Sequence, residues 1–219
     1  MDVFLKTERL RLRPFTERDA GSLLALDSDP EVMRYITGGR PTSAETLRLR
    51  TLPRLLHDHP GWAAGRGYWA AEERSSGVFL GWFEFRPLTE QNGTEENGTE
   101  ENGAGGAGTG GAEVELGYRL AASAWGRGLA TEGASALVDR GFTELRVARV
   151  TANTMAVNAR SRRVMEKVGL RLVRAFAGDW PEPIPGSEHG EVEYALTREE
   201  WAARRPAPPA HAHQRPTVG

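Results

Sequence analysis

The chain contains no cysteine among its 219 residues. That excludes disulfides, thiolate metal sites and a cysteine acyl-enzyme, so an acyl transfer would have to be direct or use another nucleophile. No apolar stretch approaches the roughly 20 residues that span a bilayer. The first six residues lack the basic stretch and long apolar core of a signal peptide, so a cytoplasmic protein with no membrane partner is expected. Neither sign of charge dominates: a net charge of −2 and a pI near 6.2 give no global basic signature for nucleic acid. Two phosphate-binding signatures are also missing, Gly-x4-Gly-Lys-Ser/Thr and Gly-x-Gly-x-x-Gly with an acidic residue about twenty positions on. The histidines are scattered over His57, His59, His189, His211 and His213, and no carboxylate spacing makes a metal site with them.

What is present suffices for one substantial α/β core: 39% hydrophobic residues and six tryptophans. Of these, Trp62, Trp69, Trp82, Trp125, Trp180 and Trp201 read mostly as core, with Trp180 before a loop. Leu10 and Leu12 alternate with Arg11 and Arg13, the period of a half-buried strand. Thr16 or Asp19 can cap the next helix, Asp29-Pro30 starts another, and residues 42–56 read as helical. Residues 68–72 and 78–85 form a hairpin pattern around the turn Arg74-Ser75-Ser76-Gly77. Residues 113–120 read as a strand, 131–142 as a helix, 147–153 as a strand and 158–169 as a helix. In the last strand Val192, Tyr194 and Leu196 alternate with Glu191, Glu193 and Ala195.

Two segments break this pattern. Residues 89–111 hold three near-copies of a Thr-Glu-Gln/Glu-Asn-Gly pentapeptide and then a Gly/Ala run, with nothing larger than alanine to bury. Such a segment cannot offset its ordering entropy and is expected to be a disordered insertion between two strands. Residues 205–219, rich in Pro, Ala and His, are expected to be a disordered tail, leaving a single domain over residues 1–204.

The most informative stretch is Trp125-Gly126-Arg127-Gly128-Leu129-Ala130-Thr131-Glu132, between a strand and a helix. Its glycines remove Cβ atoms that would keep a ligand off the backbone, and the helix start adds unsatisfied N–H donors and a positive dipole end. It is a site for an anion, with Arg127 as a nearby positive charge. Downstream, Asn158 opens a helix that carries Ser161, Val164, Met165 and Val168 on one face and closes at Gly169. Arg160, Arg162 and Arg163 on that helix read as a solvated face, or as a contact for a phosphate.

Four blocks in this order resemble the GNAT superfamily of acetyl-CoA-dependent N-acetyltransferases, in the branch of the ribosomal-protein alanine acetyltransferases. They are Thr7-Glu8-Arg9-Leu10-Arg11-Leu12-Arg13 with Asp29-Pro30-Glu31-Val32-Met33, Gly67-Tyr68-Trp69-Ala70-Ala71 with Gly81-Trp82, residues 115–120 running into 125–130, and the Asn158/Ser161/Glu166-Lys167/Gly169 helix. The third is similar to the family's Gln/Arg-x-x-Gly-x-Gly/Ala pyrophosphate motif, with Trp125 at its first position. The resemblance implies a single α/β (α+β) domain whose mixed, mainly antiparallel sheet splays at its centre to admit a pantetheine arm. It implies acetyl-CoA as acyl donor, no metal, and a monomer or homodimer. The donor would be held by Leu120, Trp125, Gly126, Arg127, Gly128, Leu129, Ala130, Thr131, Asn158 and Ser161.

Amine acylation requires a base to take the ammonium proton, donors for the developing oxyanion, and help for the departing thiolate. Glu115 is the candidate base from its place in the resemblance, with Glu113 second; Ser161 is the candidate donor to the thiolate, and Asn158 a contact for pantetheine or an N-cap. Tyr118 and Tyr194 are further possible proton donors. The acceptor would be a primary amine, on a small molecule or a protein N-terminus. A longer acyl-CoA as donor, or a catalytically silent acyl-CoA-binding sensor or scaffold, are the alternatives the residues leave open.

Overall fold

A computed structural model describes residues 3–56, 65–88, 112–180 and 182–204. The expected insertion at 89–111, the tail at 205–219, His57, His59 and Trp62 lie outside the described residues. A short strand β1 (Leu5–Lys6), which the residue pattern did not announce, pairs with β2 (Leu10–Arg13). Helices α1 (Ala20–Leu26) and α2 (Pro30–Met33) follow. The Asp29 carboxylate caps α2 by accepting from the Glu31 N–H at 2.9 Å, with Pro30 at the first helical position. The expected helix over 42–56 is present from 44 to 56, with α3 (Ala44–Thr46) running through a π-type turn at Leu47–Thr51 into α4 (Leu52–Leu56).

The hairpin of β3 (Gly67–Glu73) and β4 (Phe79–Pro87) leads to β5 (Ala112–Leu120), then α5 (Leu129–Thr143), β6 (Val147–Met155), α6 (Ala159–Val168), β7 (Arg171–Phe176), β8 (Glu191–Thr197) and α7 (Arg198–Ala203). The eight strands form one sheet in the order β1-β2-β3-β4-β5-β6-β8-β7, and every pair is antiparallel except β5 with β6. This is the mixed, mainly antiparallel architecture expected.

Alternation along the strands divides the core between the two sheet faces. On one face Phe83, Phe85, Val114 and Leu116 pack with Leu129, Ala134, Leu137 and Val138 of α5. Gly133 and Gly141 let α5 lie directly on the Phe83 and Phe85 rings, since a Cβ at either would come within 2.4 and 2.5 Å of them. Each buried phenylalanine contributes roughly 1.5–3 kcal/mol. On the other face Tyr68, Ala70 and Trp82 pack with Leu23 and Leu26 of α1, Leu47, and Leu52 and Leu55 of α4.

Alternation in β2 misplaces one residue: Arg13 is not solvent-facing but 5% exposed. It donates to Asp19 Oδ1 and Oδ2 at 2.7 and 2.8 Å and to Glu72 Oε1 at 2.7 Å, so the charge is buried with partners on the face that α1 covers. Burial alone would raise the Asp19 carboxyl, but hydrogen bonds from Arg13 and Thr16 outweigh it and hold the group below its ordinary value.

Candidate active site

The parallel pairing of β5 with β6 runs from Ala112 opposite Val147 to Glu115 opposite Thr151. Beyond that point β5 continues against β4 as far as Leu120, while β6 continues against β8 as far as Met155. The two central strands therefore separate, opening a cleft toward the C-terminal end of β5. Leu120 at the end of β5, the turn at 125–131, and Asn158 and Ser161 at the start of α6 lie at this end of the two strands, whereas Glu113 does not.

At the mouth, Gly126 and Gly128 have φ of +73° and +78°, a left-handed conformation that side chains other than glycine, Asn and Asp disfavour. Gly128 is the N-cap of α5. The turn aligns the N–H groups of Gly126, Arg127, Gly128, Leu129, Ala130 and Thr131, and among the described residues none of the six has an acceptor; the first backbone bond into the helix is from the Glu132 N–H to the Gly128 carbonyl at 3.0 Å. A Cβ at Gly126 would meet nothing within 4 Å, so the space beside this glycine is open. Consecutive unpartnered donors at the positive end of a 15-residue helix form an anion cradle.

Side chains around the cradle fix its shape rather than fill it. Glu132 accepts from Thr7 Oγ1 at 2.5 Å, from the Arg9 N–H at 2.8 Å and from Arg9 Nε at 2.6 Å. Burial pushes this carboxyl up, but these donors together hold it below its ordinary range. Arg9 Nη1 also donates to the Arg127 carbonyl at 2.8 Å, which ties the turn to the β1–β2 corner. The guanidinium of Arg127, expected as a nearby positive charge, is paired with Glu73 at 2.5 Å and holds that carboxyl low. Trp125 donates from Nε1 to the Leu120 carbonyl at 2.8 Å, joining the turn to the end of β5, and Arg160 lies over its ring at 4.8 Å. Arg162 donates from Nε to the Tyr194 hydroxyl and from Nη1 to the Ala156 carbonyl.

Across the cleft stands α6. Asn158 Oδ1 accepts from the Ser161 N–H at 3.2 Å and its Nδ2 donates to Thr154 Oγ1 at 3.1 Å, so Asn158 is an N-cap. Gly169 closes the helix with φ +102°. Ser161 faces Tyr118 of β5: the tyrosine hydroxyl lies 3.1 Å from Ser161 Oγ and 3.1 Å from the Ser161 carbonyl. Burial pushes the Tyr118 hydroxyl up to about 12, the hydrogen bond to Ser161 pulling the other way, so the phenol is protonated at neutral pH. Tyr194, the other tyrosine considered, is buried and donates to Glu166 of α6 at 3.0 Å.

On the opposite face of the sheet lies Glu115, at the last paired position before the strands part. It accepts from Arg86 Nη2 at 2.6 Å across the β4–β5 pair. Arg86 Nε lies 3.3 Å from Oε2 of Glu84, a residue the sequence reading passed over. Glu84 is opposite Gly117, and its carboxylate crosses that glycine: a Cβ there would come 2.1 Å from Glu84 Oε1. Two carboxylates thus share one guanidinium where the cleft begins. Glu113, the second candidate base, pairs with Arg149 at 3.2 Å and lies outside the cleft. Among the described residues no helix is long and apolar enough to cross a membrane, and no group of three His, Asp or Glu could hold a metal ion.

The family model for an acetyltransferase (GNAT) domain matches residues 9–171. An Aspergillus fumigatus protein named FsC-acetyl coenzyme A-N(2)-transacetylase is 35% identical over 200 residues, 90% of this chain and 77% of that protein. Two solved structures share the fold at low identity. RimL, a ribosomal L7/L12 alpha-N-protein acetyltransferase in complex with coenzyme A, is 16% identical with a TM-score of 0.67, over 91% of this chain and 99% of that one. Spermidine N-acetyltransferase from Vibrio cholerae, in complex with CoA and spermine, is 15% identical with a TM-score of 0.65, over 90% and 99%.

Proposed function

The chain belongs to the GNAT acetyltransferase family, and on that premise we propose that it transfers the acetyl group of acetyl-CoA directly to a primary amine. The observation that carries the donor assignment is the run of six backbone N–H groups at residues 126–131 without acceptors, at the open end of the cleft. A pyrophosphate would take those donors whatever the side chains are, which is why tryptophan at position 125 is tolerated. The pantetheine arm would then run into the gap between β5 and β6 and pair with the free edge of β5 near Leu120.

The thioester would lie between the two faces of the sheet. On one side a carboxylate of the Glu84–Arg86–Glu115 cluster, which includes the expected Glu115, would take the ammonium proton. On the other, Ser161 would donate to the departing thiolate with the Tyr118 hydroxyl behind it. Asn158 fixes Ser161 through the N-cap. The names of the similar proteins support an amine nitrogen as acceptor, since they specify an N(2) atom, spermidine and a protein alpha-amine. The test is thiol release from acetyl-CoA against a panel of primary amines, polyamines and peptides with free N-termini, with propionyl-CoA and butyryl-CoA as alternative donors. Amine-dependent release that is fastest with acetyl-CoA is expected. Release that no amine accelerates would overturn the reading.

A further inference from the structure

Glu84 lies nearer than its partner in the cluster to the stretch of β5 that has parted from β6. Resting on the acetyltransferase reading, we propose that Glu84 is the base that takes the ammonium proton, and that Glu115 is a positioning residue that holds Arg86. Four observations carry this. Glu115 sits where β5 and β6 are still paired, two residues short of Gly117, whereas the Glu84 carboxylate lies over Gly117 itself, on the stretch of β5 that borders the open cleft. The absence of a side chain at Gly117 is what lets it reach there. Arg86 Nη2 donates to Glu115 at 2.6 Å and its Nε stands 3.3 Å from Glu84, so of these two contacts the stronger charge-assisted one falls on Glu115. Both carboxylates are largely buried, with 14% and 15% of their side chains exposed, which keeps bulk water from competing for the proton.

Among the described residues, the charged and titratable groups on this face include Arg86 on the same strand, Glu113, Glu115 and Arg119 on β5, Arg149 of β6 paired with Glu113 at 3.2 Å, Tyr68 on β3 with Arg54 of α4 over its ring, Glu72 on β3 with Arg13 and Asp19, and Asp27 paired with Arg119 at 2.9 Å. Arg119 is thereby neutralised by Asp27, and one guanidinium faces two carboxylates, a balance that suits an arriving ammonium. The step is R–NH3+ plus the Glu84 carboxylate giving R–NH2 plus the carboxylic acid. The amine nitrogen then bonds the acetyl carbon and the C–S bond breaks. The second nitrogen proton ends on the CoA thiol, and Glu84 returns its proton to water.

The experiment compares Glu84→Gln, Glu115→Gln and Gly117→Ala with the parent in kcat/KM against pH, from 6 to the pKa of the accepted amine. Calorimetric binding of acetyl-CoA is measured for each. Glu84→Gln is expected to lose about 100-fold at pH 7, with the deficit shrinking as free amine becomes abundant and acetyl-CoA affinity unchanged. Gly117→Ala, whose Cβ would fall 2.1 Å from Glu84 Oε1 and 2.7 Å from its Cδ and Cγ, must displace the Glu84 side chain and is expected to reproduce that profile. Glu115→Gln is expected to lose less than about tenfold and keep the parent's pH dependence. A Glu84→Gln enzyme within about threefold of the parent at every pH, or a deficit confined to Glu115→Gln, overturns the assignment while leaving the acetyltransferase reading intact. A parent that neither binds acetyl-CoA nor acetylates any amine overturns both.

Discussion

The two ends of the cleft are built on different principles. The cradle at residues 126–131 offers main-chain N–H groups oriented by two glycines and a helix start. The Glu84–Arg86–Glu115 cluster consists of side chains brought together by the register of two strands. Main-chain donors tolerate substitution of the side chains around them; a cross-strand cluster does not, because each charge depends on the others for compensation. The cradle therefore suits a ligand part that never changes, and the cluster suits chemistry that must be tuned. Damage at the first should appear in donor binding, and damage at the second in turnover.

The sharpest way to break the cradle alone is Gly128→Asp. Aspartate tolerates the left-handed backbone at φ +78°, so the fold should survive, but its carboxylate would face the incoming phosphates. The KM for acetyl-CoA is expected to rise about 100-fold, roughly 2.7 kcal/mol, with saturating turnover little changed. A smaller effect is expected on the leaving-group side, where Ser161→Ala should lower kcat about tenfold and leave the KM for acetyl-CoA alone. Equal loss in both parameters would mean that Ser161 binds rather than donates.

Asp19, which belongs to neither end, supplies a control. Its carboxyl is held below its ordinary value in the folded chain, so the unfolded chain binds the extra proton between the two values. Its contribution to stability is therefore complete above about pH 4 and is lost as pH falls through the folded value. Asp19→Asn, followed by thermal melts from pH 7 to 2, should lower Tm at neutral pH by leaving Arg13 short of a partner. It should also make the remaining decline below pH 4 shallower, and turnover per folded molecule should be unaffected.

The difference between the two ends also explains what the residues disclosed on their own. The cradle is contiguous, and its glycines, helix start and flanking strand can be read in one window. The same holds for Asn158 and Gly169, whose capping roles follow from their places at the two ends of α6. The cluster could not be read so. Glu84 meets Gly117 only through the β4–β5 register, and the low-complexity stretch between those strands hides that register from any count along the chain. Glu115 was found because it stands at a recognisable distance from the turn, whereas Glu84 looks like any polar position in an amphipathic strand. Arg13 was missed for a related reason. Strict alternation assigns a strand one wet face, but α1 covers that face and provides Asp19 to make burial of the charge tolerable.

The most direct test of the account is a calorimetric titration of the parent chain with acetyl-CoA beside one with S-acetylpantetheine, which carries the same thioester and arm without the phosphates. If the main-chain donors of residues 126–131 hold a pyrophosphate, acetyl-CoA should bind at least about 100-fold more tightly. Equal affinities, or no binding of either, would contradict it.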